Sequence, residues 1–327
     1  MELSPQLLSA LDRSLTAWPT KSLARAVSTL SARYRAGEAP RTGGFTESTL
    51  DVAAYAAYRL PATYAAIAAV FEEVSTRLTG FVPRSLLDVG AGPGTTMWAA
   101  IQTWPQIEEI TLLERDPHMA SWGQLLTSYY PESVLSKARW RPIDIASPWQ
   151  ESPRDLVVAS YVLGELPESR RAPLVSTLWK HTVGSLIVVE PGTPEGFRRI
   201  VMARQVLIDL GASLVAPCPH QAKCPSDWCH FSERVARSRV HRQAKGATLA
   251  YEDEKFSYLA VSRTPGHPIT GRVIRHPEIG KGHVNLSLCT PTGLIQETVT
   301  RKEGERFRAA RHVAWGGEFP PTPTPPA

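Results

Sequence analysis

Five short apolar runs alternate with helical stretches between Ser85 and Glu190, and this rhythm constrains the fold more than any other feature of the chain. The runs are Ser85–Val89, Ile110–Glu114, Trp140–Asp144, Asp155–Ser160 and Ser185–Glu190. Each has the length of a strand buried on both faces, and acidic or small polar residues sit near the strand ends. Helical stretches such as Met119–Tyr130 and Glu168–Thr182 lie between them. This βαβ alternation predicts an α/β, doubly wound sheet. A further helix over Glu195–Leu210 ends at Gly211, a suitable C-cap.

The sequence before the first strand reads as helical over residues 1–80. Leu7, Leu8, Leu11, Leu15 and Trp18 have the spacing of a packed helix. A loop rich in Gly, Pro and Thr follows at Ala36–Thr46, then a helix near Ser48–Tyr58 and another starting at Pro61, a residue suited to a first helical turn. After the α/β region come a cysteine-rich segment, an arginine-rich stretch expected to be helical over Phe231–Gln243, and a strand at Lys255–Val261. A small β-rich module is expected from Gly271 to about Trp315, with turns at Pro-Glu-Ile-Gly-Lys-Gly and Thr-Pro-Thr-Gly. The expected divisions are 1–80, 81–212 with 251–263, 213–250, 264–318, and a proline-rich disordered tail at 319–327.

The chain has 43% hydrophobic and 20% charged residues, the balance of a globular protein with a core. No apolar run approaches the roughly 20 residues of a membrane span, so no membrane partner is expected. Arg13, Lys21, Arg25, Arg33 and Arg35 faintly resemble an organellar leader, but Glu2, Asp12 and the packed-helix spacing argue against one. A bacterial-type cytoplasmic location is therefore expected over a mitochondrial matrix one. Phe231–Trp315 holds fifteen Lys or Arg against eight Asp or Glu, so most of the net +5 charge lies in the C-terminal third. That points either to a polyanion partner or to a solvated basic face.

Asp88-Val-Gly-Ala-Gly-Pro-Gly94 follows the first strand and opens a helix. Glu114 ends the second strand, 26 positions after Asp88, and Asp144 ends the third. An acid at the second strand end can accept from both ribose hydroxyls, and Asp144 is placed to accept from an adenine amino group. A dinucleotide site expects glycine at position 95, where this chain has Thr95. Asp88, Gly90, Gly92 and Gly94 instead have the spacing of class I methyltransferases that bind S-adenosylmethionine. A degenerate fold without a nucleotide is the alternative. The segment Ser160–Leu166 after strand four would face the cofactor's reactive end. Ser160 is a candidate cofactor residue, and Tyr161 and Glu165 are the only polar candidates for chemistry; no catalytic residue is assigned.

Cys218, Cys224, Cys229 and Cys289 are the only cysteines, and three fall in Cys-Pro-His-Gln-Ala-Lys-Cys-Pro-Ser-Asp-Trp-Cys. Four thiolates suit a tetrahedral zinc or an iron–sulfur cluster. The spacing is wider than a tight zinc knuckle, and the Cys-Pro pairs favour a [4Fe–4S] cluster. Zinc stays open because His220 and His230 could substitute. Clustered cysteines without a secretory signal favour a metal in a reducing compartment over disulfides. Directly downstream, Arg234, Arg237, Arg239 and Arg242 are expected to present a basic surface to an RNA backbone, with no DNA partner expected.

Together the glycine loop, Ser160-Tyr161-Val162-Leu163-Gly164-Glu165-Leu166, Val189-Glu190-Pro191-Gly192-Thr193 and the segment Cys218–Phe231 resemble the methyltransferase-like small-ribosomal-subunit assembly family, which includes mitochondrial methyltransferase-like protein 17 and its bacterial relatives. The resemblance covers roughly residues 30–315. It implies a class I methyltransferase fold, a four-cysteine [4Fe–4S] site and association with small-subunit ribosomal RNA during assembly. An active rRNA methyltransferase and an iron- or redox-sensing RNA-binding protein are the rival functions.

Overall fold

A computed structural model describes residues 2–36, 48–226, 228–237 and 251–320. Helices α1 (Pro5–Leu15), α2 (Thr20–Ala36) and α3 (Thr49–Arg77) form the N-terminal part. Ser4 caps α1 by accepting from the Leu7 amide at 3.3 Å, and Pro5 sits where no N–H is needed. Leu7, Leu11 and Leu15 are buried as their spacing predicts, whereas Leu8 is exposed.

Helix α3 corrects the expectation of two helices meeting at Pro61, because it runs unbroken through that residue. A mid-helix proline costs roughly 3 kcal/mol. Here Pro61 is itself buried, and the surrounding Ala53, Ala57, Ala62 and Ala66 are packed in the core. That burial offsets the missing hydrogen bond.

The main sheet contains β1 (Ser85–Val89), β2 (Glu109–Leu113), β3 (Arg139–Arg141), β4 (Arg154–Ser160), β5 (Thr182–Pro191), β6 (Ser213–Ala216), β7 (Phe231–Ala236) and β8 (Tyr251–Ser262). Its order is β3-β2-β1-β4-β5-β8-β6, with β7 also on β8. Strands β1 to β5 are parallel, and β8 enters antiparallel to β5. This is the class I methyltransferase arrangement, a mixed doubly wound sheet. Alternate residues serve opposite faces. Leu86, Leu112 and Val158 pack with the layer containing α1 to α3, α4 (Thr95–Thr103) and α5 (Pro117–Ser128). Leu87, Leu113 and Val157 pack against α6 (Glu168–Lys180) and α7 (Pro194–Asp209). Gly211 follows α7 at φ +77°, as its capping role requires.

Two strand expectations need correction. β3 stops at Arg141, not Asp144, because Pro142 has no N–H for the ladder. The start of the expected arginine helix is strand β7, paired residue by residue with β8 from Phe231↔Phe256 to Ala236↔Tyr251. Phe231 and Val235 are buried at a spacing of four, which suits one face of a helix or of a strand alike, so the pairing with β8 decides for the strand. Residues 238–250, including Arg239, His241 and Arg242, lie outside the described residues.

A second sheet joins β9 (Arg272–Val273), β10 (Glu278–Ile279), β11 (His283–Thr290) and β12 (Gly293–Thr300), followed by α8 (Glu305–His312). Val273, Leu286, Leu288, Val299 and Phe307 form its core. Phe319, assigned from sequence to the tail, is 2% exposed within that core, and its amide donates to the Gly271 carbonyl at 2.9 Å. Among the described residues, no helix is long and apolar enough to cross a membrane.

Candidate cofactor pocket and cysteine cavity

The glycine loop lies at the C-terminal end of β1. Gly90 (φ +73°) and Gly94 (φ +76°) adopt left-handed backbone, and a Cβ on Gly90 would lie 2.5 Å from Val162 Cγ2. The Gly90 and Ala91 amides donate to the Leu113 carbonyl, which locks the loop against β2. Glu114 accepts from the Gly92 amide through Oε2 and from the Asp116 amide through Oε1, both at 2.7 Å. Each oxygen keeps a further lone pair for a ligand hydroxyl.

Beside this loop is a cavity of about 450 Å³ lined by Gly90, Glu114, Asp144, Ile145, Val162 and Glu165, among others. Asp144 reaches it from the loop beyond β3, accepting from the Ala146 amide at 3.0 Å and facing Arg115 Nη1 at 3.5 Å. Glu165 is open to the cavity yet surrounded by protein. Burial, then the Glu114 charge, pushes its carboxyl up to about 8. Asp88 is fully buried, and among the described residues the Thr96 hydroxyl is the side chain that eases its burial. Burial pushes it up to about 7. Ser160 ends β4 with its hydroxyl 3.4 Å from that of Thr96.

Tyr161 is placed differently from a free base. It has φ +59°, and its hydroxyl donates to Glu254 Oε1 at 3.0 Å. Arg59 of α3 holds the same carboxylate through two bonds, at 3.0 and 3.1 Å. Burial raises the Tyr161 pKa well above its ordinary value, with the Glu254 charge adding to it. Sequence reasoning missed Arg59 and Glu254; a lone arginine within the alanine-rich apolar stretch was the available signal. It also missed the role of Glu190, fully buried, which accepts from the Leu163 amide at 2.9 Å and from Arg199 Nε at 2.5 Å. That pair holds the turn that carries Glu165.

The four cysteines, 71 residues apart at the extremes, line one small cavity of about 40 Å³ with His220, Arg204 and Arg272. None of the four is paired in a disulfide. Cys289 Sγ lies 3.7 Å from His220 Nε2. Among the described residues, no three His, Cys, Asp or Glu side chains converge into a ligand set for a metal ion. Burial, then the neighbouring thiols, pushes Cys229 far up and Cys289 up to about 12. Burial also raises Cys218, with the Arg204 charge opposing it. β11 delivers Cys289, and β7 starts two residues after Cys229, so both sheets contribute to one cavity.

The expected basic helix face is replaced by ion pairs along the ribbon. Arg234 meets Asp253 at 2.9 Å, and Arg237 meets Glu252 at 3.1 Å.

A family model described as mitochondrial small ribosomal subunit Rsm22 matches residues 49–320. The human mitochondrial ribosome assembly protein METTL17 is 31% identical over 304 residues, covering 84% of this chain and 64% of that protein. The Rsm22-cox11 tandem protein 2 of Schizosaccharomyces pombe, also mitochondrial, is 23% identical over 324 residues, covering 83% of this chain and 43% of that protein. The chain thus spans less than two thirds of the length of these curated relatives. Among solved structures, the magnesium protoporphyrin IX methyltransferase of Synechocystis, with bound S-adenosylhomocysteine, aligns over 72% of this chain and 95% of its own, with TM-score 0.43 and 14% identity. The N-methyltransferase NodS of Bradyrhizobium japonicum aligns over 58% of this chain and 83% of its own, with TM-score 0.38 and 13% identity. The family and the curated relatives are mitochondrial, which overturns the cytoplasmic expectation. That expectation rested on reading Glu2, Asp12 and the packed-helix spacing against a leader, and on reduced thiols, which do not separate cytosol from matrix. The chain belongs to the Rsm22 family of mitochondrial small-ribosomal-subunit proteins.

Proposed function

We propose that the chain assists small-ribosomal-subunit assembly as a methyltransferase-fold protein. In this reading it holds S-adenosylmethionine beside the glycine loop, a [4Fe–4S] cluster between its cysteines, and small-subunit rRNA on its basic C-terminal third. The observation that carries the reading is one fold offering two built cavities, on a chain of the Rsm22 family.

The first cavity fits the proposed cofactor by charge. Asp88 is a buried acid at the foot of the glycine loop, and Glu114, Asp144 and Glu165 line the space, which suits a ligand with a sulfonium and an ammonium group. Glu114 would hold the ribose and Asp144 the adenine, with Gly90, Gly92 and Gly94 giving backbone clearance and Ser160 at the reactive end. When bound, the cofactor supplies an activated methyl group. Binding without transfer is favoured, because the Tyr161 hydroxyl is committed to Glu254. One observation supports the enzyme alternative: Glu165 opens on the cavity with a carboxyl near 8, a useful range for a base. Loss of a mapped rRNA methyl group on gene deletion would establish the enzyme, and an unchanged map would exclude it.

The same acids give binding a pH dependence. Asp88 and Glu165 have raised pKa values in the free protein, and a cationic ligand favours their ionised forms. Affinity for S-adenosylmethionine should therefore rise from pH 6 to about pH 9 as these protons cease to be displaced. Calorimetry should show a flatter profile for Glu165→Gln.

The cysteine cavity offers four sulfur donors, a set that suits a cluster or a zinc ion. The wide spacing of the cysteines and their Cys-Pro pairs in the sequence are what favour the cluster. Segment 213–250 would then be a metal-binding insertion, and 264–318 with Phe319 a C-terminal module clamped to it through Cys289. Anaerobic purification should yield equimolar iron and sulfide; stoichiometric zinc would replace the cluster in this reading.

For RNA, Arg234 and Arg237 are already closely paired with acids, which favours other exposed cations of the C-terminal third: Lys302, Arg311 and Arg308, the last 3.7 Å from Glu305. Changing these three to Glu should weaken RNA binding. It should also reduce the slope of log affinity against log salt by about 0.7 to 0.9 for each phosphate no longer neutralised. An unchanged slope would place the RNA elsewhere.

A further inference from the structure

Arg204 is an unusual group to find beside four thiols. It stands on α7 and is 3% exposed. Its Nη2 donates to the carbonyls of His220 at 2.5 Å and Ala222 at 2.9 Å. Its oxygen partners among the described residues are carbonyls rather than carboxylates, and its buried Nε has no partner among them. A buried cation is costly unless a negative charge answers it.

The neighbouring arginine in the same cavity is satisfied in another way. Arg272 is 1% exposed and donates to Glu73 Oε1 at 2.5 Å, and to the carbonyls of Pro217 at 3.2 Å and Gly316 at 2.5 Å. Glu73 also receives Arg77, which reaches Glu318 at 2.7 Å, so two cations meet two anions. Arg204 has no such counterpart among the described residues. The groups in its cavity able to become anionic are the four cysteine sulfurs and the Tyr258 phenol, and burial holds that phenol neutral.

We propose that Arg204 is the built-in counter-charge and positioning residue of the cysteine site, answering the net negative charge of a metal–thiolate group while its fork fixes the loop at His220 and Ala222. Neutral thiols leave the guanidinium unanswered, and metal-bound thiolates answer it. The inference rests on the metal reading above and adds which residue of the chain makes the cavity selective for an anionic occupant. It also assigns a direction to the redox behaviour. A nearby positive charge stabilises the reduced, more negative state of a cluster, so it raises the reduction potential.

The test compares wild type, Arg204→Gln and Arg204→Lys, each purified anaerobically as the full chain and reconstituted with ferrous iron and sulfide. Hydrogen exchange over β7 and β8 checks that each variant is folded. Arg204→Gln should lose iron to a chelator at least tenfold faster than wild type and show a more negative potential. Arg204→Lys keeps the charge and loses the planar fork. It should restore the potential, and it should stay between the other two in chelator-driven loss. A purely structural role would alter exchange in both variants and leave the potential unmoved. Wild-type potential and release rate in a folded, iron-loaded Arg204→Gln would overturn the inference with the metal reading intact. If that variant does not fold, Arg204→Lys decides alone: a wild-type potential supports the inference, and a shifted one overturns it. A wild-type chain that takes up no metal overturns the metal reading itself.

Discussion

Glu114→Ala should lower the affinity for S-adenosylmethionine at least about 100-fold while leaving the chain folded. Hydrogen bonds to a charged acceptor contribute about 1.5–3 kcal/mol each, and two ribose hydroxyls are expected to use this carboxylate. Two such bonds exceed the roughly 2.8 kcal/mol that corresponds to a 100-fold change. The same carboxylate ties Gly92 and Asp116 together, so its loss also loosens the glycine loop that the ligand must approach. Calorimetric titration checks this directly, and an affinity within a few fold of wild type would remove Glu114 from the site.

Arg272→Ala should destabilise the fold by about 3–5 kcal/mol, the range for breaking a buried ion pair from one side. The guanidinium joins three parts of the chain: Glu73 on α3, the Pro217 carbonyl ahead of the cysteines, and the Gly316 carbonyl beyond α8. Its removal leaves two carbonyls without their donor and opens a void beside the cysteine cavity. Denaturant unfolding reads the change, and a shift below about 1 kcal/mol would mean that the two sheets are joined by other contacts. Arg204 and Arg272 together frame the cysteine loop through three carbonyls, those of Pro217, His220 and Ala222, before any metal binds. The loop therefore depends less on ligation for its shape than its lack of large apolar residues implied.

The legible parts of this fold were those governed by local period and backbone geometry. Strand β1, the glycine loop and α6 follow from apolar runs and from glycines whose left-handed φ no other residue adopts comfortably. The gathering of four distant cysteines around one cavity was legible from their rarity. What failed was decided by tertiary partners. Pro61 starts helices in isolation, yet packing of the alanine-rich α3 carries the helix through it. Phe231–Gln243 has enough arginine to pass for a surface helix, and only the pairing of Phe231–Ala236 with β8 makes its start a strand. The Arg59–Glu254–Tyr161 group joins residues 195 positions apart, and no local pattern announces such a contact.

The central claim is attachment to the small ribosomal subunit during its assembly, and gradient sedimentation of the tagged chain from its own cells tests it most directly. The account predicts co-migration with particles that contain small-subunit rRNA and lack the large subunit, with the shift abolished by ribonuclease. Sedimentation only as free protein, at low and moderate salt alike, would contradict it.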